Sequence, residues 1–76
     1  MTNEEFLEMK QRVGWGEEFL INFKDEGYWI SRNSQGVYFT RNVDGYTQDF
    51  ESSEELFENA KIGEQYLIEL FHEIEW

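Results

Sequence analysis

His72 is the only histidine of the chain, with Glu69 three residues before it and Glu73 immediately after. An imidazole beside carboxylates is the pairing that general acid–base catalysis uses. Nucleophilic catalysis also needs a hydroxyl or thiol within reach of that base, and no serine or cysteine lies near His72 in sequence. His72 is therefore read as a surface or edge residue beside an apolar stripe. Gly14-Trp15-Gly16 has the outline of a glycine-rich phosphate loop, but it precedes a strand pattern where pyrophosphate binding requires a helix. Asp25-Glu26-Gly27 lacks the alternating acids of a calcium loop and reads better as a turn. The chain has no cysteine, which excludes disulfides and thiolate metal sites. No catalytic, cofactor-binding or metal-ligating residue is assigned, no cofactor is expected, and the chain is read as a non-enzyme.

Carboxylates remain the most abundant chemistry. Seventeen acids against six bases give a net charge of −11. Nine of the acids and only one base, Lys61, lie between Asp49 and Trp76. Such a field repels nucleic acid and anionic lipid and attracts basic surfaces. The expected partner is thus the basic surface of another protein, such as a nucleic-acid-binding effector, with no direct binding to nucleic acid or membrane. Glu54, Glu55, Glu58, Glu64, Glu69 and Glu73 are the candidate contacts, set along an acidic helical face where carboxylates can stand in for phosphates. Trp29 and Tyr38 join them as aromatic anchors of the kind interfaces favour. The competing reading of the same face is plain solvation.

The elements that must position these residues follow from periodicity. Thr2-x-x-Glu5 forms a capping box, and Phe6, Leu7, Met9 and Val13 recur at near-helical spacing up to Gly14, so a helix is expected over roughly residues 3–13. The period then becomes two. Phe19, Ile21 and Phe23 share one face, Tyr28 and Ile30 the next strand's matching face, and Val37 and Phe39 the third's. Asp25-Glu26-Gly27 is read as a three-residue connection with Gly27 in the left-handed conformation. Asn33-Ser34-Gln35-Gly36 and Asp44-Gly45 mark further turns, and Tyr46–Phe50 a fourth strand. Ser52-x-x-Glu55 is a second capping box, opening a helix that buries Leu56, Phe57 and Ala60 and that Gly63 stops or kinks. Leu67, Leu70, Phe71 and Ile74 then fall at i, i+3, i+4 and i+7, the pattern of an amphipathic helix.

The fold class expected is α+β: an N-terminal helix, a three- to four-stranded antiparallel meander, and C-terminal helices packed on one face. Residues 1–76 form a single domain, because so short a chain cannot divide into two cores. Fourteen aromatic residues supply the core that disulfides and metals do not. The expected core is Phe6, Phe19, Ile21, Phe23, Ile30, Phe39, Leu56, Leu67, Leu70, Phe71 and Ile74. No secretory leader is visible in Met1-Thr2-Asn3-Glu4-Glu5, and no apolar run approaches the roughly 18 residues of a membrane span, so a soluble cytoplasmic protein is expected.

The tract Phe50-Glu51-Ser52-Ser53-Glu54-Glu55-Leu56-Phe57-Glu58-Asn59-Ala60-Lys61-Ile62 resembles one found in small acidic uncharacterised proteins of Gram-positive bacteria and their phages. There, a phrase of the type F-D-S-x-E-E-L-L-x-x-A-x-I follows a hairpin rich in Tyr and Trp, and an acidic helix closes the chain. The resemblance runs from about Gly16 to Ile74 and implies no assigned activity. In size, acidity and element order the chain is also similar, as a class, to phage anti-CRISPR proteins, some of which imitate DNA. That likeness implies an inhibitor or regulator occupying the basic site of a nucleic-acid-handling protein. The alternative is a small host accessory protein whose acidity serves only solubility.

Overall fold

The first helix is set by its ends. In the computed structural model, which describes all 76 residues, α1 spans Asn3–Gly14. Thr2 Oγ1 accepts from the Glu5 amide at 3.1 Å, and the Glu5 carboxylate accepts from the Thr2 amide at 2.8 Å, so both halves of the capping box form. Phe6, Met9 and Val13 make the buried face. At the other end, the Arg32 guanidinium donates to the carbonyls of Val13 and Gly14 in the last turn, where intrahelical donors run out, and the Val13 carbonyl also accepts from the Gly16 amide.

Strands β1 (Phe19–Phe23), β2 (Glu26–Asn33), β3 (Gly36–Arg41) and β4 (Thr47–Phe50) form an antiparallel meander in sequential order. Phe19 faces Ile30, Ile30 faces Phe39 and Phe39 faces Gln48, so the alternating apolar residues fall in rows on one side. The first turn differs from the sequence expectation. It has two residues, Lys24 and Asp25, at φ 49° and 65°, and Glu26 and Gly27 already belong to β2. Positive φ at both central residues matches the right-handed twist of the flanking strands, which outweighs the cost of placing a lysine there. Gly27 serves another need: a Cβ there would stand 3.0 Å from the Asn42 side chain. Gly36 is held to glycine in the same way, with its absent Cβ 2.6 Å from the Phe50 carbonyl oxygen.

Helix α2 (Ser53–Asn59) is capped by Ser52, whose hydroxyl accepts from the Glu55 amide at 3.2 Å. The return half of the expected box goes one residue further back, because the Glu55 carboxylate takes the Glu51 amide. The chain beyond α2 departs most from the expected long helix. Strands β5 (Lys61–Ile62) and β6 (Gln65–Tyr66) make a small hairpin with Gly63 at φ 65° in its turn, so this glycine turns a hairpin instead of stopping a helix. Only one helical turn follows, α3 (Leu67–Leu70), then a 3-10 turn over Phe71–Glu73. Ile74 is extended, and Glu75 pairs with Asn22 on the free edge of β1. Edge pairing satisfies backbone groups of β1 that a continued helix would leave open.

Sixteen buried residues form one cluster that joins the inner sheet face to α1, α2 and the C-terminal segment. Every residue of the expected core belongs to it except Phe19, which is half-buried and packs against it. Within it Phe6 is stacked on Phe71 at 4.2 Å and edge-on to Phe57 at 5.2 Å. No helix is long and apolar enough to cross a membrane.

Candidate functional site

The six candidate glutamates do not share one rigid helix. Glu54, Glu55 and Glu58 lie on α2, Glu64 in the β5–β6 turn, Glu69 on α3 and Glu73 in the 3-10 turn. All six are exposed, and none has a cationic partner. Glu69 is partly engaged, accepting from the Tyr66 amide at 3.2 Å. The expectation of one continuous acidic helical face is thus corrected, because the helix that should have carried Glu64 through Glu73 is broken into hairpin, short helix and 3-10 turn.

A narrower constellation takes its place. Asp49 on β4, Glu51 in the connection and Glu55 in the first turn of α2 line a shallow depression of about 430 Å³ with Gln35, Tyr38 and Phe50. Tyr38 is directly opposite Asp49 across the β3–β4 ladder. Its hydroxyl donates to Asn33 Oδ1 at 3.0 Å, and the same oxygen accepts from the amides of Gln35 and Gly36. The ring is therefore anchored by the turn that precedes its own strand. Glu54 and Glu58 stand on the same short helix, one turn apart. The corner where β4 enters α2 so presents three carboxylates around one fixed phenol and two more along the helix.

Trp29 belongs to the outer sheet face, as its alternation requires. It lies opposite Leu20 on β1 and Thr40 on β3, and both Trp29 and Leu20 stay about half exposed. Tyr38 is its diagonal neighbour across β2 and β3. Trp29 does not line the acidic depression, so the structure joins Tyr38 to the acids and leaves Trp29 to one side.

Electrostatics sharpen the picture. Only Glu8, Glu17 and Asp44 of the seventeen acids make ion pairs, the first two with Arg12 and the third with Arg41. Arg41 holds the Asp44 carboxyl down to about 2, helped by the Tyr46 amide. Hydrogen bonds from the Thr2 backbone and from Arg12 lower Glu5 and Glu17 respectively. Burial raises the Tyr28 phenol.

His72 is exposed in the 3-10 turn, its ring against Phe71 with centroids 4.1 Å apart, and no hydroxyl is hydrogen-bonded to it. No group of three or more His, Asp or Glu side chains is placed to hold a metal ion. One concave region escaped sequence reading. Tyr28, Arg41, Tyr46, Gln48, Lys61, Ile62 and Gly63 come together from three strands, a loop and the small hairpin. The only sequence signal for it was Lys61, the lone base after Asp49. No protein-family model, no curated protein and no solved structure matches this chain.

Proposed function

We propose that the protein is a non-enzymatic binding protein, an inhibitor or regulator whose acidic β4–α2 corner occupies a basic site of a nucleic-acid-handling protein. The observation that carries this reading is the cluster of Asp49, Glu51 and Glu55 around the anchored Tyr38, extended along α2 by Glu54 and Glu58, all five free of cationic partners. Carboxylates so held repel one another and gain from a cationic surface that supplies the missing countercharge. Tyr38 adds an aromatic contact whose rotation is already restricted, which lowers the entropy lost on binding. Such a protein acts as a DNA mimic, in the manner implied by the likeness to phage anti-CRISPR proteins. Its acidity keeps it from nucleic acid itself.

The test compares two neutralised variants in a pull-down with host lysate. One carries Glu51→Gln, Glu54→Gln, Glu55→Gln and Glu58→Gln; the other carries Glu64→Gln, Glu69→Gln and Glu73→Gln. Glutamine keeps helix propensity and can still accept the capping bonds made by Glu55 and Glu69. The first variant is expected to lose the partner and the second to keep it. Binding should weaken as salt rises and yield to added DNA. Capture that survives both the first variant and high salt refutes the mimic and leaves the accessory-protein reading, in which acidity serves solubility alone.

A further inference from the structure

The three depressions of this surface are sorted by charge. The one at the β4–α2 corner is lined by three acids and no base. A second, of about 330 Å³, is lined by Asn22, Lys24, Asp25, Glu73 and Glu75, three acids against one base. The third, of about 170 Å³, is lined by Arg41 and Lys61 and by no acid at all. In a chain of net charge −11 with only six bases, two of them converge on one concavity.

We propose that this third cleft, between the β3–β4 loop and the β5–β6 hairpin, is a binding site for a small oxyanion, a phosphate or a carboxylate. Arg41 is fixed for the task. Its Nε and Nη2 are taken by Asp44, at 3.1 and 2.6 Å, and its guanidinium packs over the Tyr46 ring with 5.5 Å to the centroid. Asp44 leaves Nη1 untouched, and the Tyr28 phenol beside the guanidinium interacts with it across the cleft wall. Asp44, and Glu26 more weakly, offset the Arg41 charge, so the uncompensated cation is Lys61. Its ammonium makes no ion pair and lies 4.7 Å from the Tyr66 ring centroid. The Lys61 backbone is locked in turn, because the Gln48 side-chain amide donates to its carbonyl at 2.8 Å and accepts from its N–H at 2.9 Å. Tyr28, buried and stacked on Phe39 at 5.0 Å, adds a phenol to the wall.

Arg41 is held in place by Asp44, and Lys61 extends an exposed ammonium over Tyr66 from a fixed backbone, so one cation is positioned and the other can swing onto an anion. Size selects the ligand. Sites for drug-sized molecules and cofactors occupy about 300–1,000 Å³, so a cleft of about 170 Å³ admits an inorganic oxyanion or a short monocarboxylate.

The experiment is a two-dimensional amide NMR titration of the whole protein with inorganic phosphate and, separately, acetate. Sodium chloride at matched ionic strength is the reference. Saturable shifts confined to Arg41, Tyr46, Gln48, Lys61 and Gly63 are expected with phosphate, acetate or both, and the tighter of the two defines the ligand class. Lys61→Gln should weaken binding at least tenfold, while Lys10→Gln, on α1 and away from the cleft, should leave it unchanged. Tyr28→Phe should weaken binding several-fold. Because the Lys61 side chain is exposed and its backbone makes the structural bonds, Lys61→Gln should keep a dispersed, folded spectrum. Equal affinity in Lys61→Gln overturns the proposal. So do shifts that chloride reproduces, or that rise linearly across the whole surface.

Discussion

Phe71→Ala tests the junction on which the helices and the C-terminal segment meet. The ring is 6% exposed and stacks on Phe6 with an interplanar angle of 18°, while Phe6 in turn meets Phe57 edge-on. The substitution removes the ring's transfer free energy, opens a cavity and deletes one aromatic pair, together about 4 kcal/mol for a buried phenylalanine. The backbone should hold, because the Phe71 carbonyl accepts from the Ile74 amide whatever the side chain. At about 0.05–0.15 kcal/mol per residue, a domain of this size has roughly 4–11 kcal/mol in all. The variant should therefore lose a third of its stability at least, and sit near unfolding if the parent lies at the low end. Urea denaturation followed by tryptophan fluorescence measures it. With a slope of about 1 kcal/mol/M, the midpoint should fall by roughly 4 M, or the transition should vanish. Phe71→Leu keeps apolar volume and should cost about 1–1.5 kcal/mol, and Leu7→Ala, at an exposed position on α1, under about 0.5 kcal/mol. A loss in Phe71→Ala no greater than in Leu7→Ala would refute the assigned core.

Gln48→Ala removes both hydrogen bonds to the Lys61 backbone, and should cost about 1–2 kcal/mol while speeding amide exchange at Lys61 ahead of the strands β1 to β3. Acid should expose the Asp44–Arg41 pair. A carboxyl held at about 2 contributes stability that is complete above its unfolded value and is lost as pH falls towards 2, so the gap in melting temperature between the parent and Asp44→Asn should close over that range. Superimposable pH profiles would show that the pair contributes nothing. Salt should stabilise the parent, since seventeen carboxylates face six bases, and replacing six exposed glutamates with glutamine should flatten that dependence in thermal melts from low to high sodium chloride.

The sheet and first helix were legible because local and tertiary demands agree there. A capping box formed where its residues predicted it, and β1, β2 and β3 buried the faces that alternation assigned. The C-terminal segment was misread for a physical reason. Leu67, Leu70, Phe71 and Ile74 are buried as a helix would bury them, but a single helical turn followed by a 3-10 turn keeps them on the same side. The open edge of β1 then draws Glu75 into an extended conformation, a long-range demand that no local window contains. Two-residue strands such as β5 and β6 are too short to show a period. The candidate site shared this limit. Each glutamate was visible as an exposed acid, but their division between the α2 corner and the terminal segment depends on where the hairpin places the chain. The cleft around Lys61 draws on residues far apart in sequence and left almost no local sign.

The bridge between Asn22 and Glu75 also orders events in time. The hairpins of the meander close over turns of a few residues, whereas this bridge joins positions roughly fifty residues apart, and the added closure entropy is about 2 kcal/mol. Contacts of that span are disfavoured until the intervening chain is already compact, so the β2–β3 hairpin should be formed in the folding transition state and the terminal bridge should not. Substitutions at Trp76, whose ring rests 5.5 Å from Phe19, should then leave the folding rate almost untouched and accelerate unfolding. The last residues of the chain act as a latch, closed once the rest has folded and setting how long the native state persists.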